Sequence, residues 1–148
     1  MIATYSQKHS DVNASPKQCA TGHQTELSKA QFMDTQTLEQ NWTAYLAAYS
    51  DIADDERKQL LEHSVSDDMV FTNPSGQGET RAGLIAHIEN FQKMMPGTYF
   101  STEKIFVHHD ELLAIWAMHK PDGTKAATGY NFVRPDNEGR FIYMAGFS

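Results

Sequence analysis

The chain has 148 residues, of which 40% are hydrophobic and 21% charged, and a formal net charge of −7. That length supports one domain with a single core, in the ordinary soluble globular class. The acidic balance argues against a phosphate-backbone partner, so no nucleic acid is expected. No apolar run approaches the ~20 residues of a membrane span, so no membrane is expected either. The single cysteine, Cys19, excludes an intramolecular disulfide, and nothing implies an oxidising compartment.

Residues 1–34 are polar, rich in Ser, Thr, Gln and Lys, and carry no apolar period or signal-peptide h-region. Lys8, Lys17 and Lys29 cancel Asp11, Glu26 and Asp34, so the acidity belongs to the rest of the chain. A flexible arm is expected, with packing on a partner subunit as the alternative. A cytoplasmic location is expected. Residues 35–148 are expected to form one folded domain.

Leu38, Trp42, Tyr45, Leu46 and Tyr49 fall at helical spacing, and Thr37 with Gln40 has the spacing of a capping box. A second helix is expected from about Asp54 to Ser64, its acidic first turn suiting the helix dipole. Met69-Val70-Phe71 reads as a short strand running into Asn73-Pro74-Ser75-Gly76. The Gly76-Gln77-Gly78 stretch lacks a third glycine at the dinucleotide spacing and the lysine of a phosphate loop, and it carries Glu79. Gly78, Thr80 and Gly83 lead into a third helix with a Leu84, Ile88, Phe91, Met95 stripe, closed by Pro96-Gly97. Residues 98–109 read as a strand, with Asp110-Glu111 a tight connection. From Leu112 to Phe147, three apolar, aromatic-rich runs are separated by Pro/Asp/Gly clusters, which predicts consecutive antiparallel strands. Segregated helices and strands give an α+β domain with a mostly antiparallel sheet.

Asn131, between Tyr130 and Phe132, sits in a predicted strand where asparagine is depleted, so its amide must be solvated, bonded or functional. A four-residue connection from Pro135 to Glu138 sets Asn131 opposite Ile142, with Ile142, Met144 and Gly146 on one face; a five-residue connection reverses the faces. On the first register Tyr130, Phe132, Phe141, Tyr143 and Phe147 gather outside. So many outer aromatics call for a cover, and a two-fold homodimer is the economical one. Trp116 and Met118 share a face of their own strand.

The element order, with LLEHSVSDDMVFTNPSG early and PDGTKAATGYNFVRPDNEGRFIYMAGF late, resembles the nuclear transport factor 2-like superfamily. The likeness runs from about Thr37 to Ser148 and is greatest to SnoaL-like domains, beside polyketide cyclases and ketosteroid isomerases. It implies a cystatin-like α+β roll: a curved sheet wrapped around a helix into a cone, on about three N-terminal helices, with an apolar pocket at the open end. It also implies that Met144 lies inside the cone and that dimers form through the outer sheet.

Ketosteroid isomerases hold one carboxylic acid neutral, and use it with a helix tyrosine as an oxyanion hole. A second aspartate is their base. WTAYLAAY aligns Tyr45 with the tyrosine, FTNPSG aligns Asn73 with the base, and TGYNF aligns Asn131 with the neutral acid. Both carboxyls are amides here. An amide at Asn73 has no useful basicity, whereas Asn131 and Tyr45 can still donate hydrogen bonds to a carbonyl oxygen.

Tyr45, Asn73, Trp116, Asn131 and Met144 are therefore the candidate ligand-binding residues. The competing reading is a core tyrosine for Tyr45, a turn residue before Pro74 for Asn73, and a structural hydrogen bond for Asn131. His108 and His109 are the weak candidates for a base. Being adjacent on a strand, they should point to opposite faces, which speaks against a metal site. His63, His87 and His119 are expected to be satisfied or solvated, and Asp68 to be a surface residue. No cofactor is implied. The leading function is binding of a small apolar, carbonyl-bearing molecule. The alternatives are a cyclase or isomerase acting on an enolisable ligand with a histidine base, and a dimeric protein-interaction module.

Overall fold

The Leu38–Trp42–Tyr45 stripe lies on a helix, α1 (Thr35–Ala47), in a computed structural model that describes residues 34–148. The helix starts at Asp34, whose carboxylate accepts from Gln36 N at 3.2 Å, rather than at the Thr37–Gln40 pair. Carbonyls just past its C-terminal end are met by a cation. Buried Arg57 of α2 (Asp54–Ser64) donates to Ala48 O and Ser50 O, both at 3.0 Å. The expected N-terminal arm and Cys19 lie outside the described residues, apart from Asp34.

Helix α2 runs directly into β1 (Val65–Asn73), longer than the Met69–Phe71 expected because a bulge after Val65 lets the chain pair again from Val70. Asn73 and Gly76 then close a hairpin with β2 (Gly76–Glu79), a strand that the Gly-Gln-Gly composition conceals. Phe71 lies opposite Gly78, where an added Cβ would meet the Phe71 ring at 2.8 Å. The glycine leaves room for the ring to lie across the hairpin. Helix α3 (Arg81–Met94) is capped by Thr80, whose hydroxyl accepts from Gly83 N at 3.0 Å.

Strands β3 (Tyr99–His108), β4 (Glu111–His119), β5 (Lys125–Pro135) and β6 (Phe141–Phe147) complete one six-stranded sheet in the order β2-β1-β6-β5-β4-β3. Every neighbouring pair is antiparallel except β1 with β6. This is the expected α+β roll. Two side-chain bonds tie α1 to β3 and to the β5–β6 connection: Trp42 Nε1 donates to Thr102 at 2.9 Å, and Asn41 Nδ2 donates to Gly139 O at 2.7 Å. Leu38, Trp42, Leu61, Met69, Leu84 and Phe141 are fully buried between them.

The β5–β6 register differs from the expected one, yet leaves Met144 inside. Five residues, 136–140, connect the strands, and Pro135 pairs with Phe141. Alone, that would turn Met144 outward. A bulge at Ile142 resets the ladder, so Arg134 pairs with Tyr143, Val133 with Met144 and Asn131 with Gly146 rather than Ile142. Asn131 and Met144 face inward. So does Phe141, which the expected register puts outside and which is fully buried against Tyr45. Tyr130 and Tyr143 stay on the outer face, 46% and 36% exposed. No helix among the described residues is long and apolar enough to cross a membrane.

Candidate functional site

Tyr45, Asn73, Trp116, Asn131 and Met144 come from four strands and a helix, and all five line one cavity of about 190 Å³ between α1, α3 and the inner face of the sheet. Aromatic rings make most of its wall. Tyr49 stands edge-on to Phe91 and Phe100, and Phe100 edge-on to Trp116.

The polar groups are few and fixed. Trp116 Nε1 donates to Asn131 Oδ1 at 2.9 Å. Indole nitrogen can only donate, so the amide oxygen must face Trp116 and the Asn131 NH₂ must face the other way. Tyr45 lines the same cavity, and the Asn131 amide favours its ionised form, as a donor turned toward the phenol oxygen does. Glycine makes this geometry possible. Trp116 pairs with Gly129, and an added Cβ there would lie 2.1 Å from the indole ring. Opposite Asn131 is Gly146, where a Cβ would come within 3.2 Å of Asn131 Oδ1 and 3.1 Å of Asn73 Cβ. The two asparagines thus flank one glycine.

Tyr45 Oη also donates to Tyr49 Oη at 3.3 Å. Both phenols are buried, and burial is the first cause of pKa values above the ordinary 10.0. For Tyr45, raised furthest, neighbouring Tyr49 adds to the rise and the Asn131 amide opposes it. For Tyr49, the bond from Tyr45 opposes it. Both remain protonated donors at neutral pH.

A histidine does line the cavity, and it is His87 on α3. Its ring packs on Phe71 with centroids 5.2 Å apart, and its Nε2 lies 3.3 Å from Asn73 Nδ2. Ser75 fixes the Asn73 amide by donating to Oδ1 from its N (3.0 Å) and Oγ (2.7 Å). Asn73 Nδ2 is therefore the group facing His87, which makes Nε2 the acceptor. Burial lowers the His87 pKa from 6.5, so the ring is neutral at pH 7.

His108 and His109, the expected base candidates, stand elsewhere. They line a shallow depression with Asp110, Glu111, Arg134 and Pro135 at the β3–β4 turn. His109 leaves the strand with φ 51°, so alternation does not separate the pair, and the two Nδ1 atoms lie 3.3 Å apart. Among the described residues no group of three or more His, Cys, Asp or Glu has the arrangement of a metal site. Asp68 is exposed and accepts from Ser66. His119 meets Ser101 at 2.7 Å on β3.

From the sequence, Tyr49 counts only as part of the helical stripe, His87 is expected to be satisfied or solvated, and Gly129 carries no signal. Tyr49 lies four residues beyond Tyr45 on the same helical face, and His87 lies between Leu84 and Phe91 in the α3 stripe. Gly129 becomes visible only once the β4–β5 register sets it opposite Trp116.

A family model described as a SnoaL-like domain matches residues 42–144. A crystal structure of a SnoaL-like protein from Agrobacterium tumefaciens, assigned as a candidate isomerase, is 26% identical with a TM-score of 0.71. It covers 76% of this chain and 97% of its own. Two others share the fold at lower identity. A Methylobium petroleophilum protein with a cystatin-like fold has 12% identity, a TM-score of 0.64 and 78% coverage of each chain. A candidate polyketide cyclase from Sinorhizobium meliloti has 13% identity, a TM-score of 0.60, and coverage of 77% of this chain and 99% of its own. No curated protein matches the chain. With about two-thirds of its length matched by the family model, the chain belongs to the SnoaL-like family.

Proposed function

We propose that the cavity binds a small apolar molecule through a carbonyl or similar acceptor oxygen, and that the domain abstracts no proton from it. The observation that carries this reading is the orientation of Asn131, whose amide oxygen is taken by Trp116 so that its NH₂ is presented beside Tyr45. A neutral donor at the centre of an aromatic cavity recognises an acceptor and leaves a charged ligand poorly compensated. Among the described residues, no Asp or Glu side chain lines the cavity. The histidine that does, His87, has its Nε2 lone pair facing the Asn73 amide, which weakens it as a base.

A thermal-shift panel of small ketones and aldehydes, with native mass spectrometry of protein purified without denaturant, tests this. A carbonyl compound should raise the wild-type midpoint, and Asn131→Leu should reduce that rise. Equal stabilisation of wild type and Asn131→Leu would count against it.

One observation favours a second reading. His87 sits beside Asn73, at the position where ketosteroid isomerases hold their base, and the Agrobacterium relative is assigned as a candidate isomerase. On that reading Asn73 swings aside and neutral His87 Nε2 takes a proton from the carbon next to the ligand carbonyl. The partner expected for the outer sheet is a second copy of the chain, a reading supported by exposed Tyr130, Tyr143 and Leu113. A cytoplasmic setting without a cofactor belongs to the same proposal.

A further inference from the structure

The hydrogen bonds in the cavity form a chain with one direction. Trp116 Nε1 can only donate, so Asn131 Oδ1 accepts and Asn131 Nδ2 faces the Tyr45 oxygen. With its oxygen met by Asn131, Tyr45 sends its own proton to Tyr49 Oη at 3.3 Å. Tyr49 Oη accepts that bond, and among the described residues its own proton has no acceptor. Trp116 and Tyr45 have no proton left to give, and Asn131 spends one of its two N–H groups on Tyr45. The hydroxyl proton left over is on Tyr49, which lines the cavity with Phe91 and Phe100 packed edge-on against its ring. Such chains polarise toward their end, which strengthens the last donor.

Size limits the ligand. The cavity volume of about 190 Å³ is only slightly larger than a dry, apolar cavity of about 150 Å³ that accepts benzene. One ring with a short substituent fills it. A second fused ring would have to lie outside, past Pro74 and Phe147 at the rim.

From this chain and this volume we infer that the site takes a single-ring compound bearing an acceptor oxygen, and that Tyr49, rather than Tyr45, donates the hydrogen bond to it. The inference rests on the binding function proposed above and names its ligand class and its donor. Tyr45 is a positioning residue: it passes the orientation of Asn131 on to Tyr49 and has no proton to spare. The site discriminates by polarity. It accepts a ketone or aldehyde oxygen and gains nothing from the corresponding hydrocarbon.

Binding of three probes to the full-length protein, followed by isothermal titration or ligand-observed NMR, tests the inference. Acetophenone carries the oxygen, ethylbenzene has nearly the same shape without it, and 2-acetonaphthalene adds a ring. Wild type should bind acetophenone about three- to ten-fold more tightly than ethylbenzene, the range of one net hydrogen bond. It should bind 2-acetonaphthalene no more tightly than acetophenone. Tyr49→Phe should abolish the acetophenone preference, and Tyr45→Phe should keep it. Loss of the preference in Tyr45→Phe but not in Tyr49→Phe would overturn the donor assignment and leave the binding function standing. Tighter binding of the naphthyl ketone would overturn the size limit alone. No binding of any probe would overturn both the inference and the function beneath it. Should a variant fail to fold, wild type still decides through ¹³Cζ-tyrosine NMR: acetophenone should move the Tyr49 resonance, and an unmoved resonance in the saturated complex would refute the assignment.

Discussion

Gly129→Ala should dismantle the site from a position that contributes no functional group to it. An added Cβ would lie 2.1, 2.4 and 2.7 Å from three indole carbons of Trp116. Ordinary carbon contacts need about 3.5 Å, so the ring must retreat by roughly 1.4 Å or more. The Trp116–Asn131 bond, 2.9 Å long, does not survive such a shift. Overpacking of this kind costs about 1–3 kcal/mol. Leaving the buried Asn131 oxygen without its donor costs about another 1–3 kcal/mol. The total of roughly 2–6 kcal/mol is a large fraction of the stability of a typical domain. Urea denaturation followed by far-UV circular dichroism measures it. Trp116→Phe supplies the control, because a phenyl ring clears the new methyl group. The cost of Gly129→Ala should therefore fall by at least half in the Trp116→Phe background. Destabilisation below about 0.5 kcal/mol, the range of neutral surface changes, would refute the argument that Gly129 exists to seat the indole.

Other perturbations follow from the same geometry. Asn73→Asp places a carboxylate beside His87 Nε2, which should raise the His87 pKa above its wild-type value and create a carboxylate–imidazole base; an unchanged imidazole titration by NMR would sink the contact. Tyr45 and Tyr49 have folded pKa values raised above 10.0, so below pH 10 both are protonated whether folded or not, and their contribution to stability is intact. As pH rises past 10 the unfolded chain loses protons that the folded one keeps, and stability should fall by up to about 1.4 kcal/mol per pH unit for each phenol. Denaturation midpoints between pH 9 and 11 should therefore drop more steeply for wild type than for the Tyr45→Phe, Tyr49→Phe double variant, and parallel profiles would contradict this. If the outer sheet is a dimer face, sedimentation should report a dimer that Tyr130→Glu shifts toward monomer. A wild-type monomer at micromolar concentration would end that proposal.

The parts of the fold legible in the sequence are those set by local periodicity. The Leu38–Tyr49 stripe, the acidic first turn at Asp54 and the Pro/Asp/Gly clusters around residues 121 and 136 each act over a few residues, and each marks its element correctly. What pairing decides is less visible. The Ile142 bulge turns Phe141 inward against the alternation rule, because one extra residue in β6 moves a side chain to the other face. The β2 strand is hidden by its glycines, of which Gly78 serves the Phe71 ring rather than strand propensity. In the site, Asn131 is marked by its poor fit to a strand, whereas His87 carries no such mark. It lies on a helix among apolar residues and reaches the cavity only because Phe71 and Asn73 bring the hairpin beneath it. His108 and His109 stand out as an adjacent pair, and the positive φ of His109 takes it out of the strand that His108 ends.

A cavity with neutral donors and no working base leaves a direct NMR signature. Wild-type protein and acetophenone are mixed in D₂O at neutral pH, with saturation transfer reporting contact and the methyl resonance reporting exchange at the carbon next to the carbonyl. Saturation transfer should reach the ring protons, and the methyl signal should decay no faster than in buffer. Protein-dependent loss of the methyl signal, absent in His87→Gln, would contradict this and make His87 a general base.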